Sequence, residues 1–197
     1  MSWGPRVGVS PRDIGRQAAY RDMSEEKGLL IVFTGNGKGK TTAALGMAMR
    51  AAGHEMPVLI LQFIKGSWSY GELRSFGKME GIVLKPLGTG FTWKKESLEE
   101  DRRLAADGWK EAVSEIAAGR YKIIILDELN VVLSYGLLAL EPVLGVLRGR
   151  PPGLHVVVTG RGAPEELIEI ADLVTEMRQV KHPYHERGLK AQKGIEF

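Results

Sequence analysis

Apolar residues come in short unbroken runs separated by longer amphipathic stretches. Residues 29–33 read Leu-Leu-Ile-Val-Phe, 58–61 Val-Leu-Ile-Leu, 123–126 Ile-Ile-Ile-Leu and 156–158 Val-Val-Val. A run apolar at every position is the signature of a strand covered on both faces, as in a parallel sheet flanked by helices. The pattern predicts strands over 29–34, 58–63, 122–127 and 154–159, with weaker ones at 82–87 and 173–176. Helical periodicity fills the gaps. A first helix spans 40–52 and ends near Gly53. A long one opens at Ser97, where Glu100 three residues on suggests a capping box, and runs to about 118. Shorter helices follow at 141–147, with Pro142 in the first turn, and at 164–171. Residues 1–27 are polar and mixed in charge, and read as a mobile N-terminal arm. Strand and helix alternate through 28–197, which predicts one α/β domain: a mostly parallel sheet flanked by helices.

Composition narrows the class. The 197 residues suit one domain with a real core. The net charge of +3 is small and its positive residues form no block, so no nucleic-acid footprint is expected. There is no cysteine, which excludes disulfides, iron–sulfur ligation and thiol catalysis and agrees with a reducing cytoplasm. No apolar run approaches the ~20 residues of a membrane span. Residues 1–27 lack the apolar centre of a signal peptide, so a cytoplasmic protein is expected.

Chemistry concentrates at predicted strand ends. After the first strand comes Thr34-Gly35-Asn36-Gly37-Lys38-Gly39-Lys40-Thr41-Thr42, then an alanine-rich helix. Strand, glycine loop, Gly-Lys-Thr and helix is the setting of a phosphate-binding loop, a P-loop. Glycines bring backbone amides close to phosphate oxygens, and the helix aims its positive end at the same place. Lys40 would pair with phosphate, and Thr41 would offer its hydroxyl to Mg²⁺. The usual pattern begins with glycine, whereas here that position is Thr34, whose branched side chain resists positive φ. The third long apolar run ends in Asp127-Glu128, where a carboxylate orients Mg²⁺ directly or through water. Asp127 is the leading metal-associated group, and Glu128 a second ligand or a base. The alternative is that both acids merely cap a helix. Arg161, between Gly160 and Gly162 after the fourth run, could fork onto a phosphate or be an incidental turn residue. Lys65 after the second strand is an anion-binding candidate or a solvated turn residue. His182 and His185 have no third ligand nearby in sequence and predict no zinc site. His54 and His155 read as structural.

These features leave several nucleotide proteins open. No Asn-Lys-x-Asp stands for guanine recognition, and no second lysine follows the first loop glycine as in ParA-like ATPases. Arg102 and Arg103 lie in the long charged helix and read as solvated rather than as a kinase lid. A γ-phosphoryl-transferring ATPase or kinase, and a nucleotide-binding regulator without turnover, both remain.

Further segments bear on the choice: Gln62-Phe63-Ile64-Lys65-Gly66, Gly88-Thr89-Gly90-Phe91-Thr92-Trp93, Leu126-Asp127-Glu128-Leu129, Thr159-Gly160-Arg161-Gly162, Val180-Lys181-His182, and Gly188-Leu189-Lys190-Ala191-Gln192-Lys193-Gly194-Ile195-Glu196-Phe197. With the glycine loop, and in this order, they resemble the P-loop-type ATP:corrinoid adenosyltransferases over roughly 28–197. The resemblance implies a single-domain P-loop NTPase-like (RecA-like) fold. It implies attack of a cobalt(I) corrinoid, cobalamin or a precursor, on the 5′ carbon of ATP. Inorganic triphosphate leaves, and the reaction serves adenosylcobalamin biosynthesis or salvage. ATP would lie in reversed sense along the loop, with Gly35 to Thr42 and Arg161 as nucleotide ligands. Mg²⁺ or Mn²⁺ would sit on Thr41, Asp127 and Glu128. Phe91, Trp93 and Glu128 would be catalytic, the two aromatics facing the lower side of the corrin, displacing its axial ligand and easing reduction of cobalt(II). A reduced flavoprotein electron donor and a homodimer are further implications.

Overall fold

The computed structural model describes residues 27–66, 70–88 and 98–196. Six strands, β1 (Leu30–Thr34), β2 (Val58–Gln62), β3 (Ile82–Pro86), β4 (Ile123–Asp127), β5 (His155–Thr159) and β6 (Leu173–Glu176), form one sheet in the order β3-β2-β4-β5-β1-β6. Every pairing is parallel. The helices are α1 (Lys40–Ala52), α2 (Gly71–Phe76), α3 (Leu98–Ala118), α4 (Leu129–Ser134), α5 (Leu140–Arg148), α6 (Glu165–Ile170) and α7 (Pro183–Arg187). Ser97, the expected start and cap of α3, lies outside the described residues.

Strand alternation divides the core into two layers. Leu30, Val32, Leu59, Leu61, Ile124, Leu126, Val156 and Val158 pack with α3, α4, α5 and α6 on one face. Ile31, Phe33, Val58, Ile60, Ile123, Ile125 and Val157 meet the other, where Ala44, Ala48 and Ala51 form the inner stripe of α1. Small residues at helical spacing seat α1 close to the strands, fixing where its N-terminus points. This is the two-sided burial that the unbroken apolar runs require. β6, at the sheet edge, is exposed along its length.

Three helices were not expected. α2 and α4 are six residues each, too short to show a clear apolar period, and α7 has five residues and none buried. In a parallel sheet all strand C-termini share one edge, and there ligands of open α/β proteins bind. The register places Gln62 beside Asp127, Phe33 beside Thr159 and Thr34 beside Glu176 at that edge.

Candidate active site

The loop between β1 and α1 turns through Gly35 (φ 92°) and Gly39 (φ 108°). Positive φ begins at Gly35, and Thr34 stays in the strand. Its hydroxyl accepts the Ala163 amide at 3.2 Å, tying the turn after β5 to the loop. The first half of the loop lies against the exit of β6. Gly37 donates its amide to the Met177 carbonyl at 2.6 Å, and a Cβ at Gly37 would stand 2.6 Å from that same oxygen. Glycine at 37 is therefore set by this close approach.

Lys40 is buried, 7% exposed, and donates to the carbonyls of Gly35 at 2.8 Å and Gly37 at 2.6 Å. Burial lowers its pKa, and Arg161 and Lys38 push it the same way against the opposing pull of Glu128. Those two carbonyls hold the ammonium at the centre of the loop with a strong demand for an anion.

Behind the loop runs a buried polar row across three strands. Asp127, fully buried, accepts at Oδ1 from the hydroxyls of Thr41 (2.8 Å) and Thr159 (2.7 Å), and at Oδ2 from the Gln62 amide (3.0 Å). Thr159 also accepts the Glu128 backbone amide at 3.0 Å. With its proton given to Asp127, the Thr41 oxygen keeps its lone pairs for a cation. Asp127 thus stands behind Thr41, and Glu128 is the carboxylate on the cavity wall.

Glu128 occupies the left-handed region at φ 65° and is the N-cap residue of α4, yet its side chain makes no cap bond. The capping alternative therefore does not account for its carboxylate. Burial raises the Glu128 pKa, the neighbouring Asp127 raises it further, and Lys40, Lys65 and Arg161 pull it down. An uncovalently held cation here would relieve both raising effects. Asn130, the second residue of α4, donates to the carbonyls of Gly160 (3.1 Å) and Phe33 (3.4 Å) and joins the ends of β5 and β1.

Lys40, Thr41 and Glu128 face one cavity of about 960 Å³. Asn36 to Thr42 form one wall, Lys65 and Glu72 another, and Glu128 and Arg161 the floor, while Gly194 to Glu196 close a side. Lys65 pairs with Glu72 at 2.6 Å and lies 5.0 Å from the centre of the Tyr70 ring. It is an oriented cation on the wall, not a solvated turn residue. Thr41, with a hydroxyl aimed by Asp127, and Glu128, with a carboxylate destabilised as an anion, fit a hard divalent ion that takes its other ligands from phosphate and water.

A family model described as ATP:corrinoid adenosyltransferase BtuR/CobO/CobP matches residues 26–197. The chain belongs to this family. The corrinoid adenosyltransferase of Pseudomonas aeruginosa is 47% identical over 174 residues, covering 88% of this chain and 85% of that protein. The corrinoid adenosyltransferase of Escherichia coli K12 is 43% identical over 180 residues, and that of Salmonella typhimurium, CobA, is 43% identical over the same length; each alignment covers 91% of both chains.

In this corrinoid adenosyltransferase the sequence-expected loop residues 36–42, with Glu128 and Arg161, meet on one cavity, and Asp127 is joined to it through Thr41. Gly35 supplies the turn and a carbonyl for Lys40. Phe91 and Trp93 lie outside the described residues. Sequence reasoning gave no site role to Thr159 and Gln62, though it quoted the segments that hold them, and passed over Asn130. Each is a polar residue at or just beyond the end of a buried strand, a signal present in the chain but overshadowed by the acids and glycines beside it. It also gave no role to Glu196, which no local pattern connects to a loop 158 positions away. His155, expected to be structural, accepts the Leu29 amide at Nδ1 at the far end of the sheet.

Proposed function

We propose that this protein transfers the 5′-deoxyadenosyl group of ATP to the cobalt(I) of a corrinoid, releasing inorganic triphosphate. The observation that carries the site assignment is the meeting of Lys40, Thr41 and Glu128 on one cavity, in a chain of the corrinoid adenosyltransferase family. The cobalt(I) electron pair forms a bond to C5′, the C5′–oxygen bond breaks, and its electrons leave with the triphosphate. Charge therefore grows on the leaving oxygen, and the site must stabilise it.

Lys40 meets that charge, held by the Gly35 and Gly37 carbonyls. Gly35, Asn36, Gly37, Lys38, Gly39, Thr42 and Arg161 shape and bind the phosphate chain. Since the Gly37 amide is bonded to Met177, Gly37 contributes by permitting close approach rather than by a free N–H. Thr41 and Glu128 hold Mg²⁺ or Mn²⁺, and Asp127 positions Thr41. The ion supplies neutralisation of triphosphate charge. Phe91 and Trp93 keep the lower face of the corrin free of a ligand, easing reduction from cobalt(II). A reduced flavoprotein as donor, a homodimer and a cytoplasmic setting complete the reading. Among the described residues no helix is long and apolar enough to cross a membrane.

Product analysis under anaerobic, strongly reducing conditions tests it. ATP and cob(I)alamin should yield triphosphate and adenosylcobalamin in equal amounts. ADP and phosphate would mean ordinary phosphoryl transfer, and absence of any product would mean a binding protein.

A further inference from the structure

One wall of the cavity comes from far along the chain. Gly194, Ile195 and Glu196 line it, and the Glu196 carboxylate forms an ion pair with the ammonium of Lys38 in the phosphate loop. The Glu196 side chain is 19% exposed and that of Lys38 49%. A carboxylate thus occupies a loop cation on the wall where a polyphosphate would lie.

The segment carrying Glu196 is anchored lightly. From Lys181 to Glu196 no residue is fully buried, and Ile195 is 79% exposed. The backbone bonds near Glu196 are local: Ile195 and Glu196 both donate to the Gln192 carbonyl, at 3.1 and 2.9 Å. A segment with no buried side chains gives way at little cost. By contrast, the stretch just after β6 is tied to the loop through Met177, which donates to Thr34 and accepts from Gly37. The fixed hinge and the lightly held tip place Glu196 where it can leave Lys38 and return.

The geometry points to Glu196 as a resident anion that competes with the triphosphate group for Lys38. It neutralises the loop before nucleotide arrives, yields Lys38 to the phosphate chain, and reclaims it as triphosphate departs. This rests on the proposed use of the loop for triphosphate. A pair this exposed is worth little, so the competition is mild and the exchange reversible.

Binding of inorganic triphosphate with Mg²⁺ to the full chain, measured by titration calorimetry, tests the inference. Glu196→Gln keeps size and hydrogen bonding but removes the charge. It should bind triphosphate about two- to fivefold more tightly than the unaltered protein, the size of an exposed ion pair. In a Lys38→Gln background the same change should have no effect, because the contested cation is gone. Adenosine, which lacks phosphates, should bind equally to both Glu196 forms. Weaker triphosphate binding by Glu196→Gln would overturn the inference in favour of a residue that steadies Lys38. Unchanged binding would overturn it in favour of a surface pair without a role. Failure of the unaltered protein to bind either triphosphate or ATP would overturn the phosphate-loop reading instead.

Discussion

Thr159 is the residue on which the buried row turns, and Thr159→Val tests it with shape nearly unchanged. The hydroxyl donates to Asp127 at 2.7 Å and accepts the Glu128 amide at 3.0 Å. Valine removes both bonds at once. The bond to the Asp127 carboxylate is charge-assisted and worth about 1.5–3 kcal/mol. The stranded Glu128 amide, partly buried, costs about 1 kcal/mol more, near the low end for an unmet donor. The loss of about 2.5–4 kcal/mol should lower the melting temperature of the ligand-free protein by about 5–16 °C. Thr159→Ser keeps the hydroxyl and loses one methyl group, a cost of about 0.8 kcal/mol. Thermal unfolding by circular dichroism should therefore separate valine from serine clearly. Thr159 also holds the backbone of Glu128 in its left-handed conformation, so the valine variant should need more Mg²⁺ for half-maximal adenosylation, and serine should restore the wild-type requirement. Equal melting temperatures for the two variants would refute the row as a structural unit. Separated melting temperatures with identical Mg²⁺ curves would refute its link to the site.

Glu128→Gln should raise the melting temperature of the ligand-free protein at neutral pH while impairing turnover. Its folded-state pKa is raised, chiefly by burial, so its contribution to stability is full below the unfolded value and is lost as pH rises through the folded one; the gain should vanish in acid, and a gain that persists there would refute the cause. The pH profile of kcat/KM should fall in acid as Glu128 protonates, at higher pH than an ordinary glutamate, and in base as Lys40, lowered chiefly by burial, deprotonates. Loss of the acid limb in Glu128→Gln checks the assignment. Lys40→Ala and Thr41→Ala should each cost about 1.5–3 kcal/mol, one to two decades in affinity or rate at subsaturating ATP; near wild-type kinetics would remove the phosphate-loop role. Replacing Phe91 and Trp93 together by alanine should cripple adenosylation from cobalt(II) with a mild protein reductant far more than from pre-formed cobalt(I), and equal losses would assign the rings to packing or corrinoid binding.

The chain by itself determined the fold class and which residues stand at the strand ends. Unbroken apolar runs at 29–33, 58–61, 123–126 and 156–158 can be buried only if both sheet faces are covered, and in this fold that means parallel strands under helices. Glycines, Lys40, Thr41 and the Asp127-Glu128 pair stood out because the phosphate and metal roles proposed for them need those residue types at those local spacings, and the first helix, expected over 40–52, has those limits. The short helices α2, α4 and α7 went unread, whereas α6, also six residues long, fell within the helix expected over 164–171. Tertiary structure alone decided which polar residues meet. The register set Gln62, Asp127 and Thr159 side by side although they come from three separate strands, and so put Asp127 behind Thr41 and left Glu128 to face the cavity. It also brought Met177 against Gly37 and Glu196 onto Lys38, contacts made by strand order and chain return across 140 and 158 positions. Local spacing carries information about what a segment can bind; only packing decides which distant side chain is close enough to orient it or compete with it.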